Sequence, residues 1–459
     1  MKGVMSCSIS KNANLNYVAS IVKVDNFATH PFADKLKLAT VNGCTISVSI
    51  DTEPGLFIYF PLESQLSSMF LSRNNLYRKS LNLNVDPEAN GFFEATGRVK
   101  CVKLRQVYSE GFLMPIKSIT ETYDGVMNLS CMEVGTKFDT IHFGEESDLI
   151  CQKYVIQTST PGSYMKGPKC SKKYEDKIVP NQFRFHPDTG KLKENLHLLS
   201  KDEYIHLSYK IHGTSAIFCN LLVNRELKWW ENLLMRFGVK IQTDEYHDFC
   251  ASRKVVKDPD INRNLNSGFY DVDIWNLGLE IMHPHLTKGM TIYAEIAGYL
   301  PNGKMIQKGY DYGCVYDSNI NYSNMTGNEM YMKNLFKIFV YRITYTSVDG
   351  KVMEMSATDL QQFCKRVGLI AVPELWFGKI SEWLPNTDSS DWALDFVTVL
   401  SNKYLEGDCW LCNNKVPAEG IVLRTMKPAF EALKLKSLRF SERETKELDA
   451  GITNIEDNQ

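Results

Sequence analysis

The sequence predicts an α+β protein, and three observations lead to that fold class. Between residues 17 and 119, short runs of β-favouring residues alternate with turns. Residues 204–209 have a strand pattern that leads to Lys210, and the apolar pattern resumes at residues 216–218 after a turn. Residues 226–237 carry apolar side chains at helical spacing, and we expect the helix that they predict to pack into a core.

Lys210 is the residue in this pattern that most needs an explanation. Side chains alternate between the two faces of a strand, so Lys210 and His212 share one face while Tyr209 and Ile211 share the other. Burying an unpaired ammonium is costly. A nucleophile with a lowered pKa is one reason to place a lysine there, and a strand-end lysine that extends back to water is another.

The composition limits the classes of protein that this chain can represent. A length of 459 residues predicts two or three domains, and 52 Lys+Arg against 54 Asp+Glu leave a net charge of −2. Contacts with nucleic acid must therefore come from local patches. The longest apolar runs fall short of the roughly 20 residues that span a bilayer, so we expect no membrane partner, and we expect a monomer.

The cysteines point to a reducing compartment. Twelve cysteines are scattered along the chain, and the first residues do not resemble a secretory signal, which predicts reduced thiols in the cytoplasm. Cys409 and Cys412 form the one CxxC pair, without a second pair at zinc-finger spacing. The spacing therefore does not favour a zinc site.

The first 150 residues have the pattern of a small barrel. Six short candidate strands lie at residues 18–24, 38–41, 45–50, 56–60, 98–104 and 111–115. The run HPFADKLKLA, which begins at His30, resembles the "HPNADKL" element of tRNA-binding OB domains, and RQVYSEGF, which begins at Arg105, resembles their "RG-x-x-SQG" turn. Lys100, Lys103 and Arg105 could contact an RNA backbone or form a solvated strand face, and the sequence leaves both interpretations open.

The remaining sequence divides into three parts. Residues 151–182 are rich in Lys, Ser, Gly and Pro, which predicts a basic linker or loop. A catalytic domain is expected over residues 183–440, and a charged tail over residues 441–459.

Five segments after Lys210 carry residue types that suit nucleotide chemistry. The five segments, each with its first residue in parentheses, are ASRK (Ala251), TIYAEIAG (Thr291), KIFVYRI (Lys337), AEGIVLR (Ala418) and LKLKS (Leu433). Each segment alone has an ordinary structural explanation, because short motifs match by chance. Together with KIHGTS at Lys210, and in this order, they resemble motifs I, Ia, III, IIIa, IV and V of the covalent nucleotidyltransferases, which are RNA ligases, DNA ligases and mRNA capping enzymes.

Two details of the resemblance favour RNA ligases. The K-x-H-G-T form of the first motif resembles ligases of the RNA-ligase-2 and RNA-editing kind. The OB-like region precedes the catalytic domain, an order that resembles the Deinococcus–Naegleria type, as does the FHPDT sequence that begins at Phe185.

This resemblance implies a fold and a reaction. The fold would be an N-terminal OB-type β-barrel followed by a nucleotidyltransferase domain of antiparallel sheets with helices. The reaction would be ATP-dependent sealing of RNA 3′-OH to 5′-phosphate ends in RNA repair, through AMP covalently held on Lys210 and an AMP-capped RNA. The implied partner is RNA with such ends, chiefly at nicks in a duplex.

The resemblance also assigns roles to individual residues. Lys434 and Lys436 would assist Lys210 and bind the nucleotide, while Glu295 and Glu419 would bind the nucleotide and hold Mg²⁺ or Mn²⁺. The other expected nucleotide contacts are His212, Gly213, Arg253, Phe339 and Tyr341. Strand parity places Phe339 and Tyr341 on one face, so the sequence does not decide which one stacks on adenine.

The sequence departs from the family pattern at three positions, and it leaves two alternative functions open. Arg342 follows the aromatic residue where an acid is frequent, Ser215 stands where asparagine is frequent, and Tyr209 stands where glutamate is common. A capping-type guanylyltransferase that uses GTP is one alternative. An RNA-binding protein with a catalytically inactive transferase domain is the other.

Overall fold

The structure of the chain is a computed structural model that describes residues 3–156, 174–259, 270, 272–384, 386 and 388–451. Its described part has the expected mixed α+β character, with 27 strands and 8 helices. Most of the predicted linker, residues 157–173, and the end of the predicted tail, residues 452–459, lie outside the described residues. The domain boundaries taken from the sequence stay a prediction.

The N-terminal region, residues 3–156, consists of short strands and two short helices. Its elements are β1 Gly3–Ser8, β2 Ala19–Val24, β3 Ala28–Thr29, β4 Leu36–Val41, β5 Cys44–Ser49, β6 Gly55–Pro61, β7 Ser64–Leu66, α1 Ser68–Arg73, β8 Val102–Leu104, β9 Val107–Ser109, β10 Gly111–Pro115, α2 Lys117–Tyr123, β11 Gly125–Met127, β12 Lys137–Phe138, β13 Thr140–Phe143, β14 Glu146–Leu149 and β15 Cys151–Lys153.

The strands of this region pair into five separate sheets within the described residues. Their orders are β11-β1-β13-β14, β10-β6-β2-β12, β3-β4-β5, β15-β7 and β8-β9. These pairings do not close into one barrel, so the OB-type barrel is not confirmed and stays a prediction. Strand β6 contributes to two cores, because Ile58 and Phe60 face one apolar cluster while Phe57 and Tyr59 face another.

The second region contains longer strands and more helices. Its elements are β16 Gly190–Lys191, β17 Tyr204–Tyr209, β18 Thr214–Asn224, α3 Trp229–Arg236, β19 Asp244–Ala251, β20 Val256–Lys257, α4 Ile274–Met282, β21 Met290–Gly298, α5 Gly327–Met332, β22 Phe336–Thr346, β23 Val352–Glu354, α6 Ala357–Val367, β24 Ile370–Ala371, β25 Glu374–Lys379, α7 Trp392–Tyr404, β26 Gly420–Thr425, β27 Ala432–Lys436 and α8 Leu438–Asp449.

Two largely antiparallel sheets form the frame of this region. The larger sheet has the order β20-β19-β18-β21-β22-β23, with β24 also pairing with β22, and the smaller one has the order β16-β27-β26-β17-β25. Trp275 of α4 is buried in the core of the larger sheet, and Phe396 of α7 is buried in that of the smaller one. Lys210 lies between β17 and β18, so it joins the two sheets.

Helix α3 forms where the periodicity predicts a helix, but the prediction that its apolar side chains are core residues is wrong. Trp229 is 79% exposed, and Trp230, Leu233 and Leu234 are also exposed. The buried residue of this helix is Glu231, whose carboxylate binds Arg225. Helical spacing fixes which residues share a face, but it does not say whether that face meets the protein.

The C-terminal helix α8 connects the two regions. Arg98 and Lys100 of the N-terminal region both pair with Asp449, and the Tyr108 hydroxyl donates to Glu442 at 2.8 Å. Part of the predicted tail is therefore a packed helix. Among the described residues, the helices are too short or too polar to cross a bilayer.

Candidate active site

A cavity of about 140 Å³ lies between the two sheets, beside Lys210. Residues from both sheets line it, and a second cavity adjoins it on the side of the N-terminal region. Lys210, Arg253 and Lys434 line both cavities. These side chains therefore stand where the two spaces meet.

Lys210 is held by the carboxylate of Glu419, the residue that precedes β26 of the smaller sheet. Its Nζ lies 2.8 Å from Glu419 Oε1, and its backbone N–H donates to the Gly420 carbonyl at 3.0 Å. The side chain is 19% exposed, while the Glu419 side chain is 4% exposed. The expected alternation is present, because Tyr209 and Ile211 pack into an apolar cluster while Lys210 and His212 line the second cavity.

His212 and the second oxygen of Glu419 face each other across this cavity. The distance from His212 Nδ1 to Glu419 Oε2 is 3.8 Å. The imidazole ring packs edge-on between Tyr310 and Phe440, each with a centroid distance of 4.9 Å. Glu419 Oε2 is buried and has no hydrogen-bond partner within the described part of the chain.

Gly213 allows Glu295 and the turn after Lys210 to approach closely. The Gly213 N–H donates to Glu295 Oε1 at 3.1 Å. A Cβ atom at Gly213 would lie 2.3 Å from the Ile296 carbonyl oxygen, so a side chain does not fit there. Glu295 lines the first cavity and Glu419 the second, so the two expected metal-binding carboxylates stand on different sides of Lys210.

Two lysines from β27 add positive charge to the second cavity. Leu433 and Leu435 are buried, so the alternation of the strand turns Lys434 and Lys436 to the opposite face. Lys436 Nζ lies 3.0 Å from Glu444. Burial alone would lower the pKa of Lys436, but its attraction to Glu444 and Glu419 outweighs this effect and raises that pKa. Lys436 therefore keeps its charge at neutral pH.

Arg253 is positioned by an acid that the site prediction did not include. Its guanidinium pairs with Asp188, which follows the apolar segment at the start of the catalytic region. Burial acts to raise the pKa of Asp188, but Lys434 and Arg253 lower it overall, so this side chain is an anion at neutral pH. The Asn14 side chain also donates to Asp188 at 2.6 Å, which ties this corner to the N-terminal region.

A β-bulge distinguishes the two aromatic residues that strand parity cannot separate. In the pairing of β22 with β21, Val340 is opposite Ala294 and Arg342 is opposite Tyr293, which leaves Tyr341 as the extra residue. Tyr341 lines the first cavity, while Phe339 is buried beside Tyr312. Burial raises the pKa of the Tyr341 hydroxyl, and nearby Glu295 raises it further.

His186, which belongs to the FHPDT sequence, lines the first cavity but is not among the predicted site residues. Its ring contacts Tyr293, Tyr341 and Phe430, with centroid distances of 5.6, 5.1 and 5.5 Å. Desolvation and the charge of Arg342 lower the pKa of His186 to about 3. The imidazole is therefore neutral throughout the physiological range.

A buried charge network lies beside this wall of the cavity, and none of the sequence motifs predicts it. Arg342 donates to Glu354 from Nε to Oε1 and from Nη2 to Oε2, each at 2.9 Å. Arg424 reaches the same carboxylate at 3.2 Å. The guanidinium of Arg342 also lies 4.2 Å from the centroid of Phe430, so it stacks against the cavity lining.

The three residues expected to bind RNA have different environments. Lys100 is paired with Glu94 at 2.6 Å and with Asp449 at 2.8 Å, so its charge joins the two regions of the protein. Lys103 lies in β8 with its ammonium 5.0 Å from the Tyr108 ring, and Arg105 is exposed at the following turn. An RNA contact by any of them stays a prediction.

Comparisons with known proteins provide evidence on the fold. No protein-family model matches the chain, and no curated protein matches it. Solved structures do match, over 93% of this chain and 98% of theirs. The match shows that this chain shares the fold of those structures, so the resemblance found in the motifs is confirmed at the level of fold.

The matching structures are those of Naegleria gruberi RNA ligase. A lysine-to-methionine mutant with AMP and Mn has a TM-score of 0.51 at 14% identity. A lysine-to-alanine mutant with ATP and Mn has a TM-score of 0.50 at 14% identity, and a further mutant without ligand has 0.51 at 15%. At this level of identity the likeness concerns the fold alone.

Proposed function

We propose that this protein is an ATP-dependent RNA ligase that joins RNA 3′-OH ends to 5′-phosphate ends. The observation that carries the proposal is the position of Lys210, whose Nζ stands between the two cavities and 2.8 Å from Glu419 Oε1. The chain also has the fold of an RNA ligase whose solved structures include forms with AMP or ATP and Mn.

The charges of the two cavities suggest where each part of ATP would bind. The first cavity is lined by Tyr341, neutral His186 and several apolar residues, which suits a stacked purine. The second is lined by five cationic and three acidic side chains: Lys153, Lys210, Arg253, Lys434 and Lys436 against Glu63, Glu419 and Glu444. This excess of positive charge suits the phosphates.

The first chemical step would take place at Lys210. Its ammonium must lose a proton before the nitrogen can attack, and Glu419 Oε1 is close enough to accept that proton. Lys434 and Lys436 on the same wall oppose a positive charge on Lys210. A bond then forms between Lys210 Nζ and the α-phosphorus of ATP, while the bond to the β-phosphate oxygen breaks and pyrophosphate leaves.

Two further transfers would complete sealing. An oxygen of the RNA 5′-phosphate attacks the phosphorus held by Lys210, so the phosphorus–nitrogen bond breaks and the RNA carries AMP. The RNA 3′-hydroxyl then attacks the 5′-phosphorus and AMP departs. Protonated Lys436 would offset the negative charge that develops on the phosphate oxygens in each step.

The site also fits a divalent cation, Mg²⁺ or Mn²⁺. The buried Glu419 Oε2, which has no hydrogen-bond partner among the described residues, offers a hard oxygen ligand beside the second cavity, and Glu295 offers another beside the first. The described residues contain no cluster of three or more metal-binding side chains. One carboxylate completed by phosphate oxygens and water is a usual environment for Mg²⁺, so each glutamate could hold an ion on its own side of Lys210. A bound cation would withdraw charge from those oxygens.

The N-terminal region would hold the RNA next to this site. It contributes Tyr17, Lys153 and Tyr154 to the second cavity, so RNA bound along it would meet Lys210. An OB-type strand arrangement, contacts from Lys103 and Arg105, a nicked duplex as substrate and a monomer acting in the cytoplasm are parts of the proposal.

Intact mass spectrometry after incubation with ATP and Mg²⁺ or Mn²⁺ tests the proposal. We expect a gain of about 329 Da, the mass of one adenylyl group, because the lysine retains AMP. Lys210→Ala should abolish the gain. Lys427→Ala, which changes a lysine paired with Glu431 outside the cavities, should keep it. Sealing of a nicked RNA duplex by the same samples then tests the complete reaction.

Other outcomes would support the alternatives. A gain with GTP and none with ATP would indicate a capping-type guanylyltransferase. RNA binding without a covalent nucleotide, in protein shown to carry no AMP beforehand, would indicate the catalytically inactive RNA-binding protein. Adenylation without sealing of any RNA would contradict the ligase proposal.

A further inference from the structure

Helix α3 and the residues that follow it expose an unusual amount of apolar surface. Within eleven consecutive residues, seven large apolar side chains are at least 38% exposed: Trp229 79%, Trp230 43%, Leu233 45%, Leu234 38%, Met235 41%, Phe237 77% and Val239 46%. Large apolar patches on a protein surface mark sites that contact a partner or a membrane.

The orientation of the helix is fixed from its polar side. The buried Glu231 accepts two bonds from Arg225, with Nη2 at 2.8 Å from Oε1 and Nη1 at 3.1 Å from Oε2. Glu231 also accepts the backbone N–H of Lys228 at 2.8 Å, which caps the start of the helix. Because this polar side holds the helix to the hairpin, the apolar side faces outward.

The position of α3 separates it from the candidate active site. Strand β18 starts at Thr214, four residues after Lys210, and ends at Asn224, just before α3. A strand rises about 3.3 Å per residue, so the ten intervals from Thr214 to Asn224 span roughly 33 Å. Helix α3 therefore lies at the end of β18 that is far from Lys210. None of the α3 residues lines either cavity beside Lys210 within the described part of the chain.

Charge around the apolar side chains indicates what kind of surface covers them. Lys228, Arg236 and Lys240 are all exposed at its border. Residues 225–242 contain four cationic and two acidic side chains, or 4 − 2 = +2, whereas the whole chain carries −2. Exposed Trp and Phe bordered by Lys and Arg are the composition of helices that lie in the interface of an anionic bilayer.

We propose that α3 and the following turn, through residue 240, bind the surface of a lipid bilayer with anionic headgroups. Trp229, Trp230 and Phe237 would enter the boundary between headgroups and acyl chains, and the bordering cations would contact the headgroups. The apolar side chains lie on a projecting helix at the end of a hairpin, which a deformable bilayer can surround. This attachment lies on the membrane and does not cross it, and it replaces the expectation from composition that the chain has no membrane partner.

Flotation of the full chain with lipid vesicles tests this inference. Vesicles of phosphatidylcholine with roughly 30% phosphatidylserine should carry the protein upward, whereas phosphatidylcholine alone should carry much less. Trp229→Glu with Phe237→Glu should lower the bound fraction at least about tenfold, because charge is then placed at the apolar boundary. Met332→Glu, a change at an 85% exposed apolar residue on α5, is the matched control and should bind as the wild type does.

The remaining outcomes overturn the inference. Absence of flotation with both vesicle types would do so, as would flotation that the double substitution leaves unchanged. A dimer in light scattering that the double substitution dissociates would show that a second copy covers this surface instead. Lysine adenylation should be the same in all variants, so failure of the ligase proposal and failure of this one can be told apart.

Discussion

At the scale of single residues, Glu354 is the one carboxylate in the buried charge network beside the first cavity. It pairs with Arg342 and Arg424, and the three side chains are 8–10% exposed. Removing one member of a buried ion pair leaves an uncompensated charge, which costs more than the pair contributes. Here the loss of one carboxylate would leave two guanidiniums unpaired.

We therefore expect Glu354→Gln to lower the free energy of unfolding by about 3–5 kcal/mol, measured by urea denaturation. The control is Asp349→Asn, which removes an exposed pair with Lys351 and should change stability by less than about 1 kcal/mol. Equal changes in the free energy of unfolding for the two substitutions would mean that the buried network stabilises the protein no more than an exposed pair does.

His186 should make stability depend on pH. Its pKa of about 3 lies below its ordinary 6.5, so the unfolded chain binds a proton in this window and the folded chain does not. Stability is therefore lost as pH falls from about 6.5 towards 3. Because the cavity admits water to this side chain, the loss between pH 7 and pH 5 is at most about 2 kcal/mol.

The measurement compares thermal unfolding at pH 7 and pH 5. His186→Gln should show a smaller drop between the two values than the wild type, because the variant has no imidazole to protonate. His197→Gln alters an exposed histidine and should leave the wild-type drop intact. A drop unchanged by His186→Gln would contradict the expected neutral imidazole.

The contrast between these residues shows what the sequence can predict at this scale. Lys210, Glu419, Lys434 and Lys436 lie in ordered motifs, and the structure brings them together around two cavities. Glu354 lies at the end of a three-residue strand, outside any motif. Its partners are 12 and 70 residues away, so only the tertiary fold could reveal them.

At the scale of elements, one bulge in β22 determines which aromatic residue faces the first cavity. Regular alternation would give Phe339 and Tyr341 the same orientation. The extra residue at Tyr341 rotates the strand locally, so Tyr341 lines the cavity and Phe339 packs into the core. A bulge depends on how two strands pair, which a single strand sequence does not specify.

Substitutions at the two positions should therefore have opposite effects. Tyr341→Ala should raise the ATP concentration needed for half-maximal lysine adenylation at least about tenfold, because base stacking is lost, with a smaller effect on stability. Phe339→Ala should instead lower the free energy of unfolding by about 3–5 kcal/mol, because it leaves a cavity in the core. ATP titration and urea denaturation of both variants separate the two effects. The reverse pattern would show that Phe339 is the stacking residue.

Helix α3 illustrates the limit of prediction from periodicity. Its spacing located the helix correctly, and the same spacing suggested a core position. Which side faces the protein is decided by Arg225, which binds Glu231 of the helix and also donates to the Gln242 carbonyl across the hairpin. The second of these bonds forms only when the hairpin closes.

At the scale of the whole molecule, α8 and the segment around Arg98 join the two regions. The Arg98 side chain is 1% exposed, donates to Glu63 from Nε and Nη2 at 2.8 Å each, and reaches Asp449 at 3.5 Å. The N-terminal region also lines the second cavity through Tyr17 and Lys153. The position of this region should therefore matter more for a bound RNA than for the nucleotide alone.

We expect Arg98→Ala to weaken this junction and to separate the activities of the protein. The change leaves Glu63 without its buried partner, so the N-terminal region should unfold at a lower temperature than the rest, visible as two transitions in calorimetry. Lysine adenylation should fall at most a few-fold, because Lys210, Glu419 and Lys434 belong to the second region, while sealing of nicked RNA should fall at least about tenfold.

Lys23→Ala is the control. It removes an exposed pair with Asp25 and should leave both activities and the thermal unfolding of the protein unchanged. A single transition shifted as a whole, with equal losses of adenylation and sealing, would mean that the two regions fold and act as one body, and that the N-terminal region has no separate role in holding RNA.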